Sequence, residues 1–310
     1  MLHLICPNPA LDRTILVEDY QAERVNRPIL VHENAGGKSF NVATALRAYS
    51  GDSQVPYRIH TMLGGKMGAF IQELNRLANN PLAVTPVDKN TRTCTITIDT
   101  VAAKTYLMYE KGFDLDSDLL DQFTHTLLSQ VVAGDSVVFS GSLMQGMPDS
   151  YIADIGRALP QGARLVVDTS GAALKQALKA NPVLVKINDE ELAELTGSSI
   201  DGAEEVVQAL KEFAVIPYFI VTLGGKGVVA KLGRDVFQLT FPKIRVKNPI
   251  ASGDFFLGIL CHDLEEKGII NRDTVIRACA VATANCLEWT PKIDPDKVDQ
   301  LISKIELKEL

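Results

Sequence analysis

One carboxylate stands where a run of small residues gives way to a helix. The stretch NPIASGDFFLG (248–258) places Asp254 just ahead of the segment ILCHDLEEKG, which has the composition of a helix. A helix N-terminus offers unpaired backbone N–H groups and the positive end of a dipole, which together suit an anion. A carboxylate at this point can accept a proton from an attacking hydroxyl while neighbouring amides stabilise a phosphoryl group in transfer. Taken alone, the same pattern also fits Asp254 as an ordinary N-cap on a glycine-containing turn.

A lysine and an asparagine follow two glycines in the stretch GGKSFN (36–41). A phosphate-binding P-loop needs a further glycine at position 32, where this chain has His32, so that interpretation fails. The remaining interpretation is a glycine turn that opens a helix and directs Lys38 and Asn41 towards a polar ligand. The alternative is a helix start whose lysine is exposed to solvent.

Two further stretches suit a nucleotide. GKGVVA (225–230) matches one form of a dinucleotide fingerprint, but VVAKLG has the pattern of a strand, and the fingerprint requires a helix there. We therefore reject NAD binding and retain a glycine hairpin whose backbone approaches a nucleotide. KINDEEL (186–192) lies at a strand-to-helix junction, where a carboxylate and an amide can orient Mg²⁺ through water. Acidic residues in a first helical turn also serve simply as complements to the helix dipole.

These stretches need a scaffold that brings them together, and the rest of the 310 residues predicts one. Continuous apolar strands separated by amphipathic helices indicate a parallel sheet that is covered on both faces. Ligands of such sheets bind beyond the carboxyl ends of the strands, which is where most of the stretches above fall. The predicted strands are 3–6, 136–142, 164–170, 182–188 and 218–224, and the predicted helices are 148–159, 171–180, 189–196 and 202–214.

Two segments depart from this succession of apolar strands and amphipathic helices. Residues 13–33 predict two strands joined by a polar loop, and residues 91–110 alternate strongly around a turn at 101–104. Alternation indicates a sheet with one exposed face, so the two segments predict a small antiparallel sheet that projects as a lid. Because no linker or repeat separates them, we expect one domain over 1–310 with the lid inserted in it. Exposed apolar faces and sheet edges also predict a homodimer through the lid.

Composition limits the class of protein. The formal net charge of −7 does not favour a nucleic-acid binder, which needs a basic face for the phosphates. Five cysteines without a CxxC pair predict reduced thiols rather than disulfides or a zinc site. The N-terminus does not have the pattern of a signal peptide, and no run approaches the apolar length of a membrane span. We expect a cytoplasmic protein that binds neither nucleic acid nor membrane.

The motifs, in their order along the chain, resemble the carbohydrate kinases of the ribokinase and minor phosphofructokinase family, in particular the branch of 1-phosphofructokinase and tagatose-6-phosphate kinase. The resemblance covers essentially the whole chain. The motifs that carry it are PNPALD (7–12), GGKSFN (36–41), TR (91–92), SGSL (140–143), DTSG (168–171), Asn188-x-x-Glu191, VTLGGKG (221–227) and SGD (252–254).

That resemblance implies a ribokinase-like α/β fold: a three-layer sandwich with a mostly parallel central sheet, helices on both faces and a small β lid. It also implies in-line transfer from ATP, with Mg²⁺, to a hydroxyl of a ketohexose phosphate. Phosphoryl transfer depends mostly on positioning and electrostatic stabilisation. By the resemblance, Asp254 is the catalytic base, and the amides around Ser252, Gly253 and Asp254 form the anion hole, in a loop that begins at Ala251.

The remaining roles are likewise implied by the family. The residues that hold the sugar phosphate would be Asp12, Gly36, Gly37, Lys38, Asn41, Arg92 and Ser140. The residues along the nucleotide would be Lys186, Asn188, Glu191, Thr222, Gly224, Gly225, Gly227 and Asn285. Within this second group, Asn188 and Glu191 would help to place Mg²⁺ indirectly, through water.

The chain departs from the family pattern at four places. Ala251 replaces the first glycine of the anion-hole loop, and Ile187 and Met144 each replace a proline. The lid stretch 105–110 is TYLMYE, where the family has a sequence like TEINE. The first departure bears on the catalytic rate. The last, with Tyr106 and Met108, bears on the identity of the sugar.

Two other functions are weighed against this one. A kinase for an unphosphorylated sugar or a nucleoside is disfavoured because the two cations Lys38 and Arg92 suit a dianionic ligand. A catalytically weakened sugar-phosphate-binding or regulatory protein is favoured by Ala251 and opposed by Asp254. The sequence does not distinguish fructose 1-phosphate from tagatose 6-phosphate.

Overall fold

The structure, a computed structural model, describes residues 1–49 and 55–310. The strands of these residues are β1 (Leu2–Cys6), β2 (Ala10–Val17), β3 (Leu30–Gly36), β4 (Tyr57–Gly64), β5 (Leu82–Val87), β6 (Arg92–Asp99), β7 (Lys104–Tyr109), β8 (Ser136–Ser140), β9 (Arg164–Asp168), β10 (Leu184–Asn188), β11 (Tyr218–Thr222), β12 (Val228–Leu232), β13 (Asp235–Thr240) and β14 (Glu306–Glu309). The helices are α1 (Lys38–Tyr49), α2 (Gly65–Leu77), α3 (Ser117–Leu128), α4 (Tyr151–Ala158), α5 (Gly171–Ala177), α6 (Asp189–Thr196), α7 (Ala203–Leu210), α8 (Ser252–Lys267), α9 (Arg272–Cys286) and α10 (Pro295–Ile302).

Ten strands form a central sheet in the order β14-β13-β12-β11-β10-β9-β8-β1-β4-β5. All neighbours from β11 to β5 run parallel, and β12, β13 and β14 continue the sheet in antiparallel pairs. The carboxyl ends of β8, β9, β10 and β11 therefore lie along one edge of the sheet. That edge carries the polar residues Ser140, Asp168, Asn188 and Thr222.

Successive residues of each central strand pack into opposite cores. Leu4 belongs to the core beneath α1, α8 and α9, whereas its neighbour Ile5 belongs to the core beneath α3 to α7. Each side chain of this size stabilises the fold by roughly 1.5–3 kcal/mol when it is fully buried. Helices thus cover both faces of the sheet, as the continuous apolar runs predict, and the predicted three-layer α/β architecture is confirmed.

A second sheet of four strands, the lid sheet, has the order β3-β2-β6-β7. The prediction of an antiparallel lid is wrong at its centre, because β2 and β6 pair in parallel while the two outer pairs are antiparallel. Both β2 and β6 follow a parallel strand of the central sheet, β1 and β5, so the two leave the core in the same direction. The hairpins therefore meet side by side.

One face of the lid sheet packs against the chain that leads into α8. Leu16, Ile96 and Ile98 are buried there and contact Ile250 and Trp289. At the edge of the sheet, every residue of β7 is exposed. The lid sheet is therefore anchored beside the start of α8 and open along its outer strand.

Among the residues that the structure describes, no helix has both the length and the apolar character needed to cross a membrane.

Candidate active site

Asp254 lies in the first turn of α8 and is only 6% exposed. Ala251 precedes the helix in a left-handed conformation, with φ +71° and ψ −6°, and its carbonyl accepts hydrogen bonds from the amides of Asp254 and Phe255, both at 2.9 Å. The Ser252 amide donates to the Pro249 carbonyl at 3.3 Å. Within the described residues, no acceptor binds the amide of Gly253. Of the three predicted anion-hole amides, that of Gly253 is therefore the one available to a ligand.

The carboxylate of Asp254 is held by an amide from the neighbouring helix. Asn41, in the first turn of α1, donates from Nδ2 to Oδ2 of Asp254 at 2.8 Å. Burial raises the pKa of Asp254 to about 6; the negative charge of Asp168 adds to the rise and the positive charge of Lys38 opposes it. A carboxylate with such a pKa is ionised at neutral pH and is a stronger base than an ordinary aspartate.

A second buried carboxylate, Asp168 at the end of β9, forms ion pairs with two ammonium groups. Its Oδ2 accepts from Nζ of Lys186 at 3.0 Å, and its Oδ1 accepts from Nζ of Lys38 at 3.4 Å. Burial alone would raise the pKa of Asp168, but Lys186 and Lys38 together hold it below its ordinary value. The negative charge of Asp168 in turn raises the pKa of Lys38. The predicted substrate lysine and the predicted nucleotide lysine thus share one carboxylate, to which the sequence assigned no role.

The ammonium of Lys186 lies against the anion-hole loop. A Cβ placed on Gly253 would be 2.9 Å from Nζ of Lys186. The absence of a side chain at this position therefore leaves room for a cation beside the free amide. A cation and an amide at one point suit a phosphoryl group, which carries negative charge throughout its transfer.

The lid sheet contributes Asp12 from β2. Its carboxyl group fills the space in front of Gly36, where an added Cβ would be 2.1 Å from Cγ of Asp12. Burial raises the pKa of Asp12 to about 7; the negative charge of Asp254 adds to this, and the positive charge of Arg92 opposes it. The structure therefore brings Asp12, Arg92 and Asp254 within electrostatic range of one another.

Arg92, at the start of β6, is tied to the backbone at two points. Its Nη1 donates to the carbonyl of Glu110 at 3.2 Å and its Nη2 to the carbonyl of Asn8 at 3.3 Å. Its Nε is buried and has no partner in the part of the chain that the structure describes. Arg92 lines a cavity of about 300 Å³ that Glu110 and Lys111 also line. Two cations beside one cavity suit a phosphate group.

The other predicted substrate residues surround Lys38. Gly37 has φ +118°, and a Cβ there would be 2.6 Å from Sγ of Cys6, so this turn requires glycine. Ser140 is buried, lies opposite Asp168 in the strand register, and its Oγ has no partner among the described residues. The turn after Ser140 crosses the stem of Lys38, because a Cβ on Gly141 would be 3.3 Å from Cδ of that lysine.

A cavity of about 540 Å³ lies on the other side of the anion-hole loop. It is lined by four of the residues predicted for the nucleotide, which all come from the connection between β11 and β12, and by two residues of the loop itself: Thr222, Gly224, Gly225, Gly227, Ser252 and Gly253. The cavity thus runs from a glycine-rich turn to the available amide. Its size is that of a small-molecule site.

Part of this cavity was missed by the sequence-based prediction. Its other walls come from the segment after β13, with Phe241, Pro242, Lys243, Ile244 and Val246, and from one side of α9, with Cys279, Ala282, Thr283 and Cys286. From the sequence, Cys279 and Cys286 are expected to be small core residues of one helix. Their spacing of seven, with small residues between, was the signal for one helix face. It did not indicate whether that face met the core or a cavity.

Asn285 does not line the cavity, although it was predicted to lie along the nucleotide. It is buried on α9 and donates from Nδ2 to the carbonyl of Lys292 at 3.2 Å. Its neighbours Thr283 and Cys286 face the cavity instead. The assignment of Asn285 to the nucleotide therefore stays a prediction.

Asn188 and Glu191 form a reciprocal cap at the start of α6. The Glu191 amide donates to Oδ1 of Asn188 at 2.7 Å, and the Asn188 amide donates to Oε2 of Glu191 at 2.8 Å. Asn188 and Glu191 therefore stabilise the N-terminus of α6, which is the alternative role that the sequence pattern also predicts. In the strand register Asn188 lies beside Thr222, which lines the larger cavity.

The fold and this cluster are those expected of a phosphotransferase of the ribokinase-like type, with a buried carboxylate beside a cavity of about 540 Å³ and a group of cations. Residues 8–292 match the model of the pfkB family carbohydrate kinases, and the chain belongs to that family. Over 100% of both chains it is 30% identical to a tagatose-6-phosphate kinase of Staphylococcus epidermidis.

Solved structures share the fold. Phosphofructokinase-2 of Escherichia coli in complex with substrates and products superimposes with a TM-score of 0.88 at 24% identity, covering 97% of this chain and 98% of that one. A tetrameric inhibited form of the same enzyme gives a TM-score of 0.85 at 24% identity, with the same coverage. The predicted family and the predicted enzyme class, an ATP-dependent sugar-phosphate kinase, are confirmed.

Proposed function

We propose that this enzyme transfers the terminal phosphoryl group of ATP to a hydroxyl of a ketohexose phosphate and forms a hexose bisphosphate. The acceptor is tagatose 6-phosphate or fructose 1-phosphate. The naming of the curated relatives as tagatose-6-phosphate kinases favours the first. The observation that carries the proposal is the position of Asp254, buried at the start of α8 between the larger cavity and the cations Lys38 and Arg92.

Asp254 acts as the general base in this proposal. Its ionised carboxylate accepts the proton of the attacking sugar hydroxyl, while Asn41 holds one carboxylate oxygen in place. The hydroxyl oxygen then forms its bond to phosphorus as the bond to the leaving ADP breaks. A positioned base of this kind contributes roughly 10²–10⁴-fold to the rate.

The amide of Gly253 and the ammonium of Lys186 stabilise the group in transfer. Gly253 lines the larger cavity and Nζ of Lys186 lies in front of Gly253, so the terminal phosphate of a nucleotide bound in that cavity would meet both groups beside the base. Mg²⁺ bound to the phosphates would neutralise part of their charge. Glu191 uses Oε2 in the cap of α6, and we assign its other carboxylate oxygen, with Asn188 beside it, to water molecules around that ion.

The acceptor's own phosphate binds on the lid side. Arg92 offers a buried Nε without a partner among the described residues, and Lys111 lines the same cavity. Asp12 and Asn41 face the sugar hydroxyls, and Lys38 lies on the acceptor side with them. Two cations on the acceptor side suit a phosphorylated sugar better than an unphosphorylated sugar or a nucleoside, which brings no anionic group for them to bind. Because ATP and sugar phosphates are metabolites of the cytoplasm, we expect the enzyme to act there.

We also propose a homodimer formed through the lid sheet. Apolar side chains of β7 and β3 are exposed, with Leu107 53%, Met108 62% and Leu30 43% accessible. The two outer strands of the sheet present unpaired backbone groups as well. A second copy of the chain would cover both.

The test is ADP formation with a panel of acceptors. Tagatose 6-phosphate, fructose 1-phosphate, fructose 6-phosphate, free tagatose, free fructose and a nucleoside would be compared at equal concentrations. Turnover confined to phosphorylated ketohexoses is expected. Faster turnover of a free sugar or nucleoside would contradict the acceptor assignment. Binding of a sugar phosphate without turnover of any acceptor would instead identify a binding or regulatory protein.

A further inference from the structure

Asp168 is the only acidic side chain among the described residues that pairs with a lysine of each substrate site. It ends β9 with its side chain entirely buried, and its two oxygens separately bind Lys186 and Lys38. Lys186 comes from the adjacent strand β10, and Lys38 is the first residue of α1, far away in sequence. The charges of this triad sum to +1, so the group as a whole attracts an anion.

Neither the buried carboxylate of Asp168 nor the pair of nearby lysines would be favourable without the other. A carboxylate removed from water costs several kcal/mol unless it is paired and hydrogen-bonded. Two ammonium groups brought near one another at a site of reduced dielectric repel. A carboxylate between them removes both difficulties, since it is paired twice and screens the two cations from each other.

The backbone keeps the carboxylate and the lysines in fixed relation. The amide of Gly141, at the end of the neighbouring strand β8, donates to the carbonyl of Asp168 at 2.7 Å. The same glycine packs against the stem of Lys38. On the other side, Nζ of Lys186 lies in front of Gly253 in the anion-hole loop. A displacement of Asp168 would therefore move both cations.

We propose that Asp168 is a positioning residue that sets Lys38 on the acceptor side and Lys186 at the anion hole, so that one carboxylate aligns the groups serving both substrates. It acts through the two lysines and does not touch either substrate. This inference rests on the proposed function for the identity of the two substrates.

Asp168 also influences the base. Burial is the main reason for the raised pKa of Asp254; the negative charge of Asp168 raises it further, and Lys38, Lys186 and the hydrogen bond from Asn41 lower it. Asp12 is a further carboxyl group within electrostatic range of Asp254. Without the charge of Asp168, one of the influences that raise this pKa would be lost, while both lysines would keep their positive charge. The pKa of Asp254 would therefore fall, and turnover would persist to lower pH.

The experiment compares Asp168→Asn and Asp168→Glu with a matched control, Asp263→Asn. Asp263 is also entirely buried and also pairs with two cations, Lys267 and Arg277, but it lies farther along α8. For each variant we would measure kcat, KM for ATP and for the sugar phosphate, the pH profile of kcat, and Tm.

For Asp168→Asn we expect both KM values to rise and kcat to fall, by roughly tenfold to a hundredfold in all, which is the usual effect of misplacing reacting groups by about an ångström. We expect the acid limb of kcat to move to lower pH, and Asp168→Glu to recover part of the loss. Asp263→Asn should lower Tm while leaving both KM values and the acid limb in place.

If Asp168→Asn lowers Tm but leaves both KM values and the acid limb of the wild type, Asp168 has only a structural role. An acid limb that moves to higher pH would also overturn the proposal. Should Asp168→Asn not fold, the same readouts on Asp168→Glu, whose longer side chain displaces the carboxylate, decide the question. The equilibrium Kd for ATP adds a measurement that requires no turnover. If the wild type is inactive with every acceptor, the proposed function is wrong. If the Kd for ATP of Asp168→Asn equals that of the wild type, this inference is wrong.

Discussion

The central sheet and the lid sheet hold their functional groups in different ways. Asp168 ends the central strand β9 and Lys186 lies within its neighbour β10, both covered on both faces, and Asp254 lies in the first turn of a helix that is buried along most of its length. Asp12 and Arg92 instead come from a four-stranded sheet whose edge strand β7 is exposed throughout. The first group is fixed by the core before any ligand binds. The second group depends on a sheet that has few neighbours of its own.

This difference predicts separate roles for the two groups of residues. Groups fixed by the core can stabilise a transition state, because they need no rearrangement as charge develops. Groups on the lid sheet can recognise the acceptor, and their position responds to whatever covers the sheet. We therefore expect substitutions on the central sheet and α8 to change kcat, and substitutions on the lid sheet to change KM for the sugar phosphate or the assembly of the protein.

The largest effect should come from Asp254→Asn. The amide cannot accept the proton, so kcat should fall by roughly 10²–10⁴-fold while the fold and both KM values are nearly retained. Steady-state kinetics measures this loss. A matched control is Asp273→Asn, since Asp273 occupies the first turn of α9 but is exposed. Retention of more than about a tenth of wild-type kcat would show that Asp254 is not the base.

The pH dependence follows from the same residue. Because the active form is ionised and burial raises the pKa of Asp254 to about 6, kcat should be full above this pH and should fall about tenfold per unit below it. The hydrogen bond from Asn41 lowers this pKa, so Asn41→Ala should move the acid limb to higher pH. A kcat that is constant from pH 7 to pH 5 would contradict this assignment.

Arg92→Ala tests the lid side, with Lys38→Ala as its counterpart at the central sheet. Loss of a charge-assisted contact to phosphate costs about 1.5–3 kcal/mol, so KM for the sugar phosphate should rise about tenfold to a hundredfold. Both substitutions should raise KM for ATP far less. Comparison with an unphosphorylated analogue supplies the control, because its KM should not respond to Arg92. An equal rise in both KM values, or a rise for ATP alone, would remove these residues from the acceptor site.

A smaller effect on turnover is expected from the open edge of the lid sheet. Light scattering of the wild type at micromolar concentration should give the mass of a dimer, since β7 otherwise exposes Leu107 and Met108 to water. Introducing charge with Leu107→Asp and Met108→Asp should shift the mass towards the monomer and raise KM for the sugar phosphate. Val132→Asp is a control of similar exposure away from the lid. A fully active wild-type monomer would refute the dimer.

Much of the fold could be predicted because its strands are uninterrupted apolar runs. The predicted strands 136–142, 164–170 and 218–224 are present, but each ends two residues earlier, since the polar or small residues that follow turn away towards the site. The parallel pairing inside the lid sheet could not be predicted, because alternation specifies which faces are exposed but not which strands are neighbours.

The convergence of Lys38, Asn41 and Asp254 was also predicted, through the family resemblance. The role proposed for Asp168 was not, because it depends on the register that sets the end of β9 beside Lys186 and the α1 terminus. No local pattern contains that register. The cavity-facing side of α9 was missed for a related reason, since the rotation of a helix about its axis is set by packing and not by its own spacing of small residues.

The smallest effect concerns Ala251, where the family has glycine. With φ at +71°, this alanine occupies a left-handed conformation that costs a residue with a Cβ about 1–2 kcal/mol, whereas glycine adopts it freely. Its carbonyl accepts from two amides of the first turn of α8, so strain at this residue acts directly on the loop that carries Gly253 and Asp254. Loss of a whole anion-hole donor costs roughly 10²–10³ in kcat, and a slight misplacement should cost less.

We therefore expect Ala251→Gly to raise kcat modestly, by less than about tenfold, without changing KM for the sugar phosphate. Ala103→Gly is the matched control: Ala103 also has a positive φ, of +53°, but lies in the exposed turn of the lid sheet, so it should relieve similar strain without altering kcat. If kcat of Ala251→Gly were unchanged or lower, the loop would tolerate alanine, and the methyl group, which packs against the core, would contribute more to its geometry than the strain removes.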